Sequence, residues 1–427
     1  MALAAPRICC LDLDTFFVSV ERLLDPSLQG KPVIVGGFDP ERAKRDKRAL
    51  RGVVTAASYE VRAHGVRSGM SLTQAQELAP HAIYLPTRHD VYTPYAKQVR
   101  ELAANYTPLT QVASIDEMFL DFSGCERLYH KPCDDTADAT IERVVRQLTD
   151  EIQSRIGLPA SAGIATSRSV AKVACGLAKP RGVLLVPSGA ERALLAPLPV
   201  RKFPGIGPVA ERKLNALGLM TLGEVADADA VLLRRVFGSS TRAIQRGLRG
   251  MGHHELGRER PAFQEYDTFG LTLGSISHEH TFFEDGRDAA RVEGLLCSLC
   301  ERVCWRARGR GVKARTVTLK LRYTDFQTIS RSRTIRPTAS EFEVFPVLRQ
   351  LLQRARTRPL PLRLLGVALS NLGRHDEQLE LFDQLTPVHQ AVDEVRDDHG
   401  FDALRVALSK AKSRKARARD SRGPRRP

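Results

Sequence analysis

Apolar residues recur along this chain in two periods. Short continuous runs at 8–13, 31–35, 53–57, 83–85 and 161–165 are bounded by turn formers and are predicted to be buried strands. Between them, spacings of three and four predict helices starting at Phe16 and covering 72–78, 92–105, 140–156 and 169–177, the last stopped by Pro180. A further strand pair is expected around 115–122, with Asp116 and Glu117 at its turn end. The alternation predicts an α/β unit.

The pattern then changes. Residues 203–226 form short amphipathic segments around the turn Pro204-Gly205-Ile206-Gly207, with Leu214, Leu217 and Leu222 as a small core. That is the pattern of a helix-hairpin-helix, whose amides hold a DNA phosphate without reading bases; an ordinary helical hairpin is the plainer alternative. Residues 249–260 have the composition of a linker. A helix at 289–306 is followed by strict alternation over 315–325, with Val317, Leu319, Leu321 and Tyr323 on one face and Thr316, Thr318, Lys320 and Arg322 on the other. Ser330, Arg331, Ser332 and Arg333 extend the polar character, and a helix at 345–356 with a strand at 364–372 completes a small β–α–β sandwich.

Composition adds a partner class. With 427 residues the chain is expected to hold several linked modules, and its net charge of +16 fits a polyanionic partner. Residues 410–427 carry nine Lys or Arg and one Asp, half of that charge, and read first as a solvated arm. This tilts the basic sheet face towards a nucleic-acid backbone contact. No apolar run approaches the roughly 18 residues of a membrane span, and the N-terminus reaches Asp12 too soon for a signal peptide, so a cytosolic or nuclear protein is expected. Eight scattered cysteines read as reduced thiols. Cys297, Cys300 and Cys304 share one helix face and read as core packing, because no His or second Cys pair completes a zinc set.

Candidate chemistry lies in the apolar runs. Asp12, Asp116 and Glu117 are carboxylates at the ends of strands, costly to desolvate alone, and divalent metal ions are the natural compensation. Metal-assisted displacement on phosphate also needs cationic donors. Tyr59 and Arg62, three apart, present a hydroxyl and a guanidinium side by side if the segment is helical, and Lys172 adds a point charge.

Segments 12–21 (DLDTFFVSVE), 58–70 (SYEVRAHGVRSGM), 114–124 (SIDEMFLDFSG), 163–182 (GIATSRSVAKVACGLAKPRG) and 203–218 (FPGIGPVAERKLNALG) resemble, in order, the motifs of Y-family translesion DNA polymerases, nearest to the DinB-type branch. The resemblance covers residues 7–372. It implies a multidomain α/β right-hand polymerase: palm at 1–15 and 83–179, fingers at 16–82, a helix-hairpin-helix thumb at 180–248, a linker at 249–259, a little finger at 260–372 and a tail at 373–427. It further implies that Asp12, Asp116 and Glu117, with the Leu13 carbonyl, bind two Mg²⁺ ions. Tyr59, Arg62 and Lys172 would hold the triphosphate with amides near Thr15, Phe16 and Phe17, and Phe17 would be the steric gate that makes the substrate dNTP. Gly205, Ile206, Gly207, Lys320, Arg322, Arg331 and Arg333 would contact primer-template DNA.

Past the catalytic body, Gln378, Leu379, Leu381 and Phe382 resemble the QL-x-LF peptide that docks in the bacterial sliding clamp. A cytoplasmic, monomeric, low-fidelity enzyme is the expectation; a non-catalytic Y-family scaffold and a metal-dependent nuclease are the alternatives. Two departures from the family pattern stand out. Gly274 replaces a basic residue, which His278 and His280 replace only if protonated, and Arg45, Lys47 and Arg48 form an unusually basic loop, read as salt-bridged. Residues 388–408, with Val392, Val395, Phe401 and Leu404, read as a small helical unit covering itself or a partner.

Overall fold

The computed structural model describes residues 5–38, 52–252, 274–373 and 385–405. It divides into two units, Met1–Glu259 and Arg260–Pro427. The first contains β1 (Ile8–Leu13), β2 (Val33–Gly36), β3 (Val54–Ala57), β4 (Ile83–Pro86), β5 (Thr110–Val112), β6 (Glu117–Asp121), β7 (Ala160–Ala165) and β8 (Val183–Leu185). They form a five-stranded sheet of order β5-β6-β1-β7-β8 and a three-stranded sheet of order β3-β2-β4.

Side chains alternate along β1, so its two faces serve different layers. Cys9, Leu11 and Leu13 pack with helices His89–Ala104 and Ala137–Ile156, whereas Ile8 and Cys10 pack with helix Arg168–Ala178. Helix Arg168–Ala178 lies very close to β7, because a Cβ on Gly163 would stand 2.1 Å from the Cys175 amide nitrogen and 2.2 Å from the Ala171 carbonyl oxygen. Only glycine fits there. The strand of residues 83–86 pairs in parallel with β2, so the small sheet takes one strand from across the expected domain boundary at 83.

Beyond β8, helices Pro208–Ala216, Leu222–Asp227, Ala230–Phe237 and Thr241–Leu248 build the helical segment. Gly205 takes the left-handed turn at φ 92°, and Leu214 and Leu222 are buried as expected. Leu217 is not: it follows the end of its helix and is 40% exposed, and Leu219 packs against the core in its stead.

The second unit is a four-stranded antiparallel sheet, with β9 (Ser275–Gly286), β10 (Lys313–Tyr323), β11 (Thr328–Thr338) and β12 (Leu362–Gly373) in the order β11-β10-β12-β9. Helices Ala289–Arg308 and Glu341–Ala355 pack on one side, making β–α–β–β–α–β instead of the expected β–α–β. The strand missed was β9, because its inward positions alternate Ile276 and Phe282 with two histidines that blur the apolar period. Cys300 and Cys304 are fully buried in this core and Cys297 is nearly so, as the packing reading requires.

Helix Leu385–His399 and a turn at Phe401–Ala403 fold back onto helix Ala289–Arg308. Phe401 is 6% exposed, its ring 4.1 Å from the Arg302 guanidinium and 5.4 Å from the Trp305 ring. Arg396, buried at 1% exposure, reaches Glu301 at 3.2 Å. The terminal helical unit therefore covers its own domain, while Val388 and Val395 stay exposed.

Candidate active site

The period of two that buries Ile8 and Cys10 places Asp12 on the same face of β1. In the antiparallel register Asp12 stands opposite Glu117, and Phe119, two residues on, packs in the same layer as Cys10. Asp116 closes the turn before β6: its carbonyl accepts the Leu13 N–H at 2.9 Å, and the Ala113 and Ser114 amides donate to the Glu117 carbonyl at 2.9 and 3.0 Å. Adjacent strand ends thus carry all three acids.

Their charges meet cations from helix Arg168–Ala178 and the turn after it. Lys172 donates to the Glu117 carboxylate and Lys179 to Asp12, while Ser114 donates to Asp116. Burial pushes the Asp12 carboxyl up to about 6; Lys179 opposes that rise, and Asp116 and Glu117 add to it. Both lysines are held above their ordinary values, because attraction to the carboxylates outweighs desolvation. Among the described residues no three His, Cys, Asp or Glu side chains converge as a ready metal cluster. Lys179 was not among the sequence candidates. Its signal was only a lysine before a proline.

Thr15 turns the chain out of β1 in the left-handed conformation, at φ 46° and ψ 42°, and caps helix Phe16–Leu24 without a side-chain bond to its amides. The first amides of that helix therefore point outward unpaired by the helix itself. The ring of Phe17 stacks on buried Tyr92 at 4.4 Å and meets His89 edge-on at 5.6 Å. Tyr92 in turn donates to buried Glu21 at 2.6 Å, which also accepts the Arg88 Nε at 3.0 Å. Residues Tyr59–Arg62 form a short helix, the condition on which their pairing depended, placing the Arg62 guanidinium 5.1 Å from the Tyr59 ring centroid, with its Nε on the Ala57 carbonyl at 3.0 Å.

Sequence comparison matches the impB/mucB/samB family over residues 11–176, that family's C-terminal domain over 274–381 and the IMS family HHH motif over 188–219. A DNA polymerase IV from Streptomyces coelicolor is 39% identical over 385 residues, which is 89% of this chain and 74% of that protein. One from Dehalococcoides mccartyi is 34% identical over 95% of this chain and 97% of its own length. The chain belongs to the DinB-type Y-family DNA polymerases. The fold agrees: a Y-family DNA polymerase chimera of Dbh and Dpo4 superposes with a TM-score of 0.72 at 24% identity, covering 86% of this chain and 98% of that one. Family membership carries the use of divalent metal in general.

In the second unit of this Y-family polymerase, register decides which residues share the basic face. Lys320 stands opposite Ser330, Thr318 opposite Ser332 and Arg322 opposite Thr328, so one face is lined with hydroxyls and two cations. Arg331 and Arg333 are not on it. They stand opposite Leu319 and Val317, on the helix side of the edge strand, where Arg333 donates to Gln350 at 2.6 Å. A run of four polar residues concealed the alternation. His278 also shares the helix-side parity of Ile276, and burial together with Arg302 and Arg306 holds it below its ordinary value, so it supplies no cation in place of a basic residue at 274. Gly205, Ile206 and Gly207 form the hairpin turn before helix Pro208–Ala216. Gln378, Leu379, Leu381 and Phe382 lie outside the described residues, as do Arg45, Lys47 and Arg48.

Proposed function

We propose that this enzyme, a template-directed DNA polymerase of translesion synthesis, transfers a nucleotide from dNTP to a primer 3′-hydroxyl at Asp12, Asp116 and Glu117, with two Mg²⁺ ions as cofactor. One observation supports the reading: the β1–β6 register sets Asp12 opposite Glu117, next in sequence to Asp116, and a lysine reaches each of the two facing carboxylates. The donor set fits a hard cation, since carboxylate oxygens and the Leu13 carbonyl are the ligands Mg²⁺ takes, and Asp12, raised chiefly by burial, is a carboxylate whose desolvation a bound cation would offset. When bound, the ions supply Lewis-acid stabilisation of the charge on the α-phosphate and of the attacking and leaving oxygens.

The remaining roles belong to side chains and amides. Tyr59, Arg62, Lys172 and Lys179 grip the triphosphate, and the free amides of Thr15, Phe16 and Phe17 point at it. Phe17, fixed from behind by Tyr92, blocks a ribose 2′-hydroxyl. Residues 1–15 and 83–179 act as palm, 16–82 as fingers, 180–248 as thumb and 260–372 as little finger. The Gly205–Gly207 turn, Lys320 and Arg322 contact the DNA backbone. Gln378, Leu379, Leu381 and Phe382 bind the sliding clamp, with the last two as apolar anchors. The enzyme works as a monomer in the bacterial cytoplasm. Among the described residues no helix is long and apolar enough to cross a membrane.

A scaffold that had lost its chemistry would have no use for three carboxylates so arranged. Labelled primer-template incubated with Mg²⁺ tests the reading: extension only when dNTPs are present, abolished by Asp116→Ala, is the expected result. Shortening of the primer would point to a nuclease, and full extension by Asp116→Ala to a different centre.

A further inference from the structure

Asp14 lies two positions past the first acid and is 1% exposed. Its carboxylate accepts hydrogen bonds from three separate elements. Ser161 of β7 donates through Oγ at 2.7 Å and the Arg181 backbone N–H at 2.8 Å, both to Oδ2, while the Tyr59 hydroxyl reaches Oδ1 at 3.2 Å. The chain around it is equally tied, since its own N–H donates to the Pro159 carbonyl at 2.9 Å and its carbonyl accepts Ser19 Oγ at 2.7 Å. Donors occupy both carboxylate oxygens, so this third aspartate is set up to hold protein parts together, not to ligate metal.

Two of those parts carry site residues. Arg181 sits in the left-handed region at φ 55°, a conformation that persists only when its surroundings fix it, and its turn delivers the Lys179 ammonium to Asp12. Tyr59 is the hydroxyl of the Tyr59–Arg62 pair. We propose that Asp14 is a positioning residue that fastens the Lys179 turn and Tyr59 to the end of β1, so that both triphosphate-holding groups keep a fixed place relative to the acids. The proposal rests on the reading that Lys179 and Tyr59 hold the triphosphate.

What Asp14 supplies is acceptor geometry. An asparagine preserves it, because its carbonyl oxygen accepts from Ser161 and Arg181 while its amide donates to the Tyr59 oxygen. A glutamate keeps the charge and destroys the geometry, since one extra methylene in a filled site drives the carboxylate out of register. Asp14→Asn is therefore expected to keep the KM for dNTP within about three-fold of the parent. Asp14→Glu is expected to raise it by about ten-fold or more, with kcat changing far less, and to speed amide hydrogen exchange over residues 179–182. Asp14→Ala replaces the glutamate variant, with the same expectation, should that one not fold.

Near-parental KM and exchange in both Asp14→Glu and Asp14→Asn would overturn the proposal, as would an asparagine variant as impaired as the glutamate one, which would assign the role to charge. Lys179→Ala and Tyr59→Phe are measured alongside. If those two leave the dNTP KM unchanged, the triphosphate reading fails; if they raise it while Asp14→Glu does not, the positioning role fails.

Discussion

The outer face of the second unit carries a carboxylate among its cations, and removing that charge tests whether the face meets DNA. Lys320 on β10 pairs in register with Gly366 on β12, and Gly366 with Glu279 on β9, so the two side chains meet across the intervening strand. The Lys320 ammonium lies 2.7 and 3.0 Å from the two Glu279 oxygens, with side-chain exposures of 35% and 39%. So exposed a pair is worth about 0–1 kcal/mol to the fold and is readily exchanged for a phosphate.

Glu279→Gln should therefore leave stability almost unchanged and free one lysine for the DNA backbone. One added phosphate contact steepens the slope of log K against log salt by about 0.9, which at roughly 0.1 M salt is about an eight-fold gain in affinity, or about 1.2 kcal/mol. Fluorescence anisotropy of labelled primer-template, titrated between roughly 50 and 200 mM salt, reads both quantities. Misfolding does not produce tighter binding. An unchanged slope, or an equal gain in the Lys320→Ala background, would refute the assignment of this face.

Other outcomes follow from the same geometry. Arg396→Ala breaks the buried ion pair with Glu301, while Glu341 keeps Arg308, so denaturant unfolding should show the second unit less stable by about 3–5 kcal/mol, and Arg396→Met should recover part of that. Gly163→Ala forces helix Arg168–Ala178 off β7 and carries Lys172 and Lys179 with it; steady-state incorporation should show a raised dNTP KM together with a lowered melting temperature. Phe17→Ala opens the space in front of Tyr92, and the ratio of kcat/KM for dNTP over rNTP should fall by roughly 100-fold, about 2.7 kcal/mol.

How much was legible in the sequence depended on how local the signal was. β1 and helix Phe16–Leu24 fall where apolar continuity and spacing placed them, and the acids were visible because a carboxylate inside such a run is anomalous. Tyr59 and Arg62 were paired by helical spacing alone. Lys179 and Asp14 were not legible, because their importance comes from contacts spanning 167 and 147 residues of chain that no periodicity encodes. Arg331 and Arg333 were read as an extension of the basic run with no face assigned, because side-chain parity on an edge strand is set by register with β10, not by its own polar sequence. The strand β9 was hidden by histidines at inward positions, and Leu217 was read as core although the helix ends one residue earlier.

The central claim is that Asp12, Asp116 and Glu117 together bind the catalytic ions, and metal stoichiometry tests it without recourse to activity. Electron paramagnetic resonance of Mn²⁺ titrated into the enzyme with primer-template and a non-hydrolysable dNTP should count two bound ions per chain. The count should fall in Asp116→Asn while DNA affinity is retained. An undiminished count in that variant, or in Asp12→Asn, would contradict the account.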